Sequence, residues 1–194
     1  MDERELVERA RSGDREAFSC LVKMYEAKVF QLAYGLTRDR HLADDLAQEA
    51  FIKAYTGLSR FESRSAFGTW LYRITVNQVK DHLRRAKVRK EVSLDDLNPT
   101  VLADNDGPER EARLRARERT RELVLRMIGR LPEKYATIIS LRDLQGRSYE
   151  EIAEVLNISP GTVDSRLYRA RKLLRKKLEP MLRPIGGSHE LQES

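Results

Sequence analysis

The sequence predicts an all-α chain of two small helical domains, the second a helix-turn-helix, joined by an acidic flexible linker. Three observations carry this. Apolar residues recur at steps of three and four along most of the chain, the spacing of one helix face. No segment shows the alternation of a strand, and the first lobe lacks hairpin-type turn pairs. Between two helical patterns the composition flips to an acidic stretch broken by proline and glycine.

After the Ser12-Gly13 break, Asp14 is placed to cap a helix whose face is Phe18, Leu21, Val22, Tyr25, Val29, Leu32, Ala33 and Leu36. Cys20 falls inside this pattern and is expected in the core. As the only cysteine, it excludes an intrachain disulfide and a cysteine-based zinc site and fits a reducing compartment. A second helix carries Leu42, Leu46, Ala50, Ala54 and Leu58, with Phe51 and Tyr55 beside them. A third follows Ser65, its inner face Phe67, Trp70, Leu71 and Ile74. Beyond Val79 that helix turns basic, with Lys80, Arg84, Arg85, Lys87, Arg89 and Lys90 against a single Asp81. The first domain is expected over residues 1–90.

Residues 91–111 hold Asp95, Asp96, Asp104, Asp106 and Glu109 with Pro99, Gly107 and Pro108, the composition of a linker. The second domain is expected over 112–180, with a disordered tail at 181–194. Its first helix runs from near Ala112 to Arg130; Pro132 is expected at the first position of the next, with Gly146 closing it.

Ser148-Tyr-Glu-Glu151 is a capping box. The helix it starts buries Ile152, Ala153 and Leu156, and the turn Asn157-Ile158-Ser159 leads to Pro160 at the first position of another helix. Val163, Leu167 and Ala170 face inward there, which leaves Thr162, Asp164, Ser165, Arg166 and Arg169 outward, followed by Arg171, Lys172, Arg175, Lys176 and Lys177. This is the layout for reading a DNA major groove, with short polar side chains at base edges and cations on phosphates.

The bulk properties agree. Lys and Arg total 37 against 31 acids, a net charge of +6, which points to a polyanionic partner, nucleic acid or an acidic membrane surface. The N-terminus lacks the layout of a signal peptide, and no apolar run spans a bilayer. A cytoplasmic protein without membrane insertion is expected. The three histidines are scattered, so neither metal nor cofactor is expected. In the first lobe Phe61, Phe67, Trp70 and Tyr72 cluster beside the polar loop Glu62-Ser-Arg-Ser65. Such rings can stack on unpaired bases or simply fill a three-helix core.

Taken in order, Asp44-Asp-Leu-Ala-Gln-Glu-Ala-Phe-Ile-Lys-Ala-Tyr55, Ser65-Ala-Phe-Gly-Thr-Trp-Leu-Tyr-Arg-Ile74, Leu131-Pro-Glu-Lys-Tyr135, Ser148-Tyr-Glu-Glu-Ile-Ala153 and Gly161-Thr-Val163 resemble bacterial sigma factors of the extracytoplasmic-function group, group 4 of the sigma-70 family, over about residues 5–180. The resemblance implies a non-catalytic subunit that joins core RNA polymerase, selects promoters, opens the duplex and serves a stress or envelope response. It places Asp44, Asp45, Gln48, Glu49, Phe51 and Lys53 on the polymerase. Phe61, Ser63, Arg64, Ser65, Phe67 and Trp70 would capture a flipped base of the -10 element, with Arg73, Asn77, Lys80 and Arg84 beside it. Thr162, Asp164, Ser165, Arg166, Arg169, Arg171 and Lys172 would meet the -35 element. The acidic linker is expected to thread the polymerase's nucleic-acid channels, and an anti-sigma factor is an expected partner.

Asp164 departs from the basic or neutral residue that many such proteins carry there. It can accept from cytosine N4 but not hold a phosphate. Three rivals come from other classes. A dimeric helix-turn-helix regulator would leave the Asp44 to Trp70 motifs unexplained, and a basic membrane-surface helix could use 80–90 alone. No nucleophile–base pairing or glycine-rich phosphate loop supports an enzyme.

Overall fold

The computed structural model describes residues 2–61, 65–90 and 108–182. Every element among them is helical, without strands. The chain opens with a helix that the sequence patterns did not show, α1 (Glu3–Arg11). Its apolar content is only Leu6, Val7 and Ala10, all buried, too few to display a period. A turn at Gly13, with φ 96°, leads to Asp14, whose carboxylate joins α1 to α2 (Arg15–Thr37). One oxygen accepts from the backbone N–H of Glu16 and Ala17 at 2.9 and 3.0 Å, and the other from Arg9 at 2.7 Å. These bonds, that from Ala17 first, hold the Asp14 carboxyl below its ordinary pKa.

The α2 stripe buries Ala17, Leu21, Tyr25, Val29, Leu32, Ala33 and Leu36. Cys20 is exposed, contrary to the expectation of core packing. It sits one position off the stripe, on the solvent side of Leu21. Asp39 caps α3 (Arg40–Gly57), accepting from Leu42 N at 3.0 Å. Ala43, Ala47, Ala50 and Ala54 line its buried face, small residues that let α3 lie close to α2. A 3-10 turn (Leu58–Arg60) leads toward α4 (Phe67–Lys90). Leu71, Tyr72, Thr75, Val76 and Val79 are all buried on α4, a wider inner face than Phe67, Trp70, Leu71 and Ile74 had suggested.

The second lobe begins with α5 (Pro108–Gly129), which starts inside the stretch expected to be linker. The remaining linker residues, Asp95, Asp96, Asp104 and Asp106 among them, lie outside the described residues. Pro132 is the N-cap of α6 (Glu133–Ile139) rather than its first residue. A π turn (Ser140–Leu144) continues α6, and Gly146 closes it with φ 65°. Then come α7 (Tyr149–Leu156) and α8 (Pro160–Leu182).

The two lobes share one apolar cluster. Helices α2 and α4 form the near side of the seam; α5, α6, the π turn and α7 form the far side. A Cβ on Gly35 of α2 would stand 3.1 Å from Ser140 Oγ, so the π turn packs closely against this glycine and would have to give by a few tenths of an ångström to admit a larger residue. The Arg147 guanidinium lies 5.4 Å from the centre of the fully buried Tyr72 ring, and the Arg38 side chain crosses Gly129. Three buried polar atoms at or beside the seam, Tyr72 Oη, Ser140 Oγ and Gln145 Nε2, have no hydrogen-bond partner among the described residues.

Within the first lobe, Gly68 lies under Tyr25, whose hydroxyl donates to Glu3 at 2.7 Å. A Cβ there would meet three Tyr25 atoms between 2.7 and 3.0 Å. Gly68→Ala is expected to lower stability by about 1–3 kcal/mol, the usual range for overpacking. Urea denaturation would measure it; an unchanged midpoint would show that Tyr25 repacks freely.

Candidate nucleic-acid interface

The helix-turn-helix is set by its caps. Ser148 Oγ accepts from Glu151 N at 3.1 Å, and Glu151 Oε2 accepts from Ser148 N at 2.7 Å, completing the capping box. Glu151 Oε1 also takes Arg147 Nη1 at 3.0 Å. The buried stripe of α7 is Ile152, Ala153 and Val155, with Leu156 only half-buried. Asn157 ends α7 in the left-handed region at φ 51°, a conformation that asparagine tolerates. Ile158 packs against the core at the corner, and Ser159 Oγ accepts from Thr162 N at 3.3 Å to start α8.

Val163, Leu167 and Ala170 anchor α8, none more than 1% exposed. Asp164, Ser165, Arg169 and Lys172 are exposed, and Arg166 is half-buried. Thr162 is committed to the cap, its hydroxyl 2.8 Å from Ser159 Oγ. Arg171 is committed too, with Nη2 donating to Asp143 at 2.6 Å. The sequence argument passed over Tyr168. It is 70% exposed and one helical turn beyond Asp164, so it stands in the same outward row; the signal was its spacing, hidden by its apolar ring.

In the first lobe α4 presents Arg73, Asn77 and Arg84 to solvent, with Lys80 half-buried in the same row. Arg84 pairs with Asp81 at 3.0 Å. Of the candidate rings, Phe61 and Phe67 are core residues, 6% and 2% exposed, so neither presents a free face. Their centroids are 6.1 Å apart, and those of Phe61 and Trp70 are 5.0 Å apart. Trp70 is the ring of the three that reaches the surface. Ser65 is half-buried just ahead of α4, while Ser63 and Arg64 lie outside the described residues.

The α3 face exposes Asp44, Asp45, Gln48, Glu49 and Lys53, with Phe51 half-buried. Gln48 Nε2 donates to Asp44 at 3.2 Å. Sequence reasoning omitted two neighbours, Ile52 and Tyr55, which are 63% and 41% exposed, and Tyr55 meets Phe18 edge-on at 4.9 Å. Apolar side chains left in water beside acids mark a protein-binding face better than acids alone. It also omitted Gln78, buried on α4. Gln78 takes a hydrogen bond from Lys53 and gives one to Glu49 at 2.9 Å, so these two α3 residues are fixed through α4.

Similarity to known proteins decides what kind of molecule carries these surfaces. Family models match residues 21–89 as sigma-70 region 2 and 121–174 as sigma-70 region 4. The chain is 41% identical over 188 residues to the RNA polymerase sigma-H factor of Pseudomonas aeruginosa, covering 93% of this chain and 96% of that one. To the extracytoplasmic-function sigma-E factor of Haemophilus influenzae it is 42% identical over 186 residues, covering 91% and 95%. The chain belongs to the sigma-70 family, in its extracytoplasmic-function branch. Among solved structures, this sigma factor matches CnrH, determined with the cytosolic domain of CnrY, at a TM-score of 0.68 and 28% identity, covering 92% of this chain and 97% of that one. The sigma factor RpoE of Bartonella quintana, determined with the anti-sigma factor NepR, has the same fold at a TM-score of 0.66 and 22% identity over 84% and 96% of the two chains.

The capping box of α7 sets where the helix-turn-helix begins. Ser148→Ala leaves the Glu151 N–H without its acceptor, and a loss of about 0.5–2 kcal/mol is expected. Thermal unfolding of the full chain would read it as a lower midpoint. Ser148→Asp, which can still cap, should stay near the parent.

Proposed function

We propose that this sigma factor docks on core RNA polymerase through the exposed face of α3, captures the -10 element with Trp70 and the outward row of α4, and reads the -35 element with α8. Domain limits of 1–90 and 112–180 go with this assignment. The observation that carries it is the pairing of a capped helix-turn-helix, whose second helix is cationic along its outer side, with a separate cation row beside a surface tryptophan on α4. The first suits duplex DNA and the second unstacked bases. The protein performs no chemistry of its own and works in the cytoplasm; no described helix is long and apolar enough to cross a membrane. A stress or envelope-response regulon fits the branch.

The docked seam bears on this mechanism. Helices α4 and α7 touch, whereas DNA sites two helical turns apart are separated by roughly 70 Å. Promoter binding at both sites therefore requires the lobes to part, with residues 91–107, between α4 and α5, as tether. About 17 extended residues reach at most roughly 60 Å, and the lobes themselves span the remainder. An anti-sigma factor that favours the joined lobes would hold the protein inactive.

Run-off transcription with purified core polymerase tests the reading. Specific transcripts are expected only when the sigma factor is added, and their mapped starts define the promoters. A protein that binds a palindrome without polymerase and yields no transcripts would instead be a dimeric regulator. Asp164 supplies a finer test. Asp164→Lys is expected to change base preference at one position of the -35 element in a binding selection, by about 1–3 kcal/mol of discrimination; identical preferences would show that the residue does not read DNA.

A further inference from the structure

The π turn at Ser140–Leu144 places two consecutive side chains on the helix-turn-helix. Its backbone bond runs from Gln145 N to Ser140 O at 3.1 Å, the five-residue step of a π turn, which accommodates one residue more than an α turn. From it, Arg142 lies over the Tyr149 ring at 5.2 Å. Asp143 reaches across to α8 and grips Arg171 at two points, Nη2 to Oδ1 at 2.6 Å and Nε to Oδ2 at 3.3 Å. Arg171 is thereby fixed in an open groove of about 400 Å³ lined by Tyr149, Asp164, Tyr168, Lys172 and Arg175.

Both partners stay well exposed, 51% for Arg171 and 38% for Asp143, and exposed ion pairs add little to stability. What the pair does set is direction. A free arginine side chain samples many rotamers, and ordering it on binding opposes association. Asp143 takes two of the five guanidinium N–H groups and the Tyr149 hydroxyl a third, which leaves two for another acceptor. Lys172 and Arg175 outnumber the one acid in the lining, Asp164, so an anionic oxygen is the acceptor that this groove favours.

We propose that Asp143 is a positioning residue for promoter binding: it holds the Arg171 guanidinium in the groove so that its remaining N–H groups donate to one phosphate of the DNA strand that borders α8. The proposal rests on the reading of α8 as the promoter-contacting helix. Asp143 itself touches no DNA. It acts by preparing a contact that α8 would otherwise have to order at the moment of binding, and that contact fixes register without reading a base.

The test uses holoenzyme assembled with core polymerase and a promoter taken from mapped start sites, with affinity measured between about 50 and 200 mM salt. Asp143→Ala is expected to weaken binding roughly threefold to tenfold, by the same factor on intact and altered -35 elements. Its salt slope should be shallower by about 0.9, the loss of one phosphate contact. Arg171→Ala should do the same, the double variant should be no worse than Arg171→Ala alone, and Asp143→Glu should restore most of the affinity. Asp143→Asn, which keeps the shape, serves if the alanine variant does not fold. Unchanged affinity and slope, tighter binding, or additive losses in the double variant would each overturn the proposal. If the parent holoenzyme bound no promoter, the reading of α8 would fall and this proposal with it; if the parent bound and the Asp143 variants matched it, this proposal alone would fall.

Discussion

Tyr72 stands where the two lobes meet. Its ring is fully buried, with Tyr25 of α2 edge-on at 6.3 Å and the guanidinium of Arg147 over its face. Burial raises the pKa of its hydroxyl, with Arg147 opposing that shift. Helix α4 therefore has two duties. One side is clamped between α2 and α7, while the other keeps Arg73, Asn77 and Arg84 in water. The backbone that carries the outward row is held in place by the packed inward row. Much of the molecule follows from that arrangement, since any movement of α7 is felt first along the helix that faces the -10 element in the proposed function.

The same economy governs the polar residues. Gln78 is 7% exposed and spends its amide on Lys53 and Glu49 of α3. A buried amide is tolerable when both its ends are satisfied. In return it holds two residues of the acidic α3 face at a set height above α4. The face proposed to meet polymerase and the helix proposed to meet DNA are thus joined by hydrogen bonds as well as by the apolar contacts of Ala50 and Ala54.

How much of this was legible in the sequence depended on the range of the cause. The caps of α2, α7 and α8 could be read because they are local: Asp14, Ser148 and Ser159 bond to atoms two or three residues away. The long stripes of α2 and α3 repeat often enough to show. Helix α1 did not show because nine residues hold too few repeats. Cys20 was misplaced because its apolar character was counted without its angle on the helix. Phe61 and Phe67 could be named as a cluster with Trp70, but which ring reaches the surface depends on the bend between α3 and α4. Arg171 looked free because its partner, Asp143, is supplied by a π turn that no local pattern announces. The seam itself was invisible: Gly35 and Ser140 are small residues far apart in the chain, and only the fold makes their contact meaningful.

The unpartnered polar atoms at the seam carry a further consequence. Inside the first lobe, separating α3 from α4 would break the Gln78 hydrogen bonds to Lys53 and Glu49 as well as wet apolar surface. At or beside the seam, parting would also expose the polar atoms Tyr72 Oη, Ser140 Oγ and Gln145 Nε2, which have no protein partner among the described residues. A separation of the lobes with their helices still folded is the sub-global opening expected at this boundary. Hydrogen exchange is expected to find the slowest amides within each lobe, away from the surface between them.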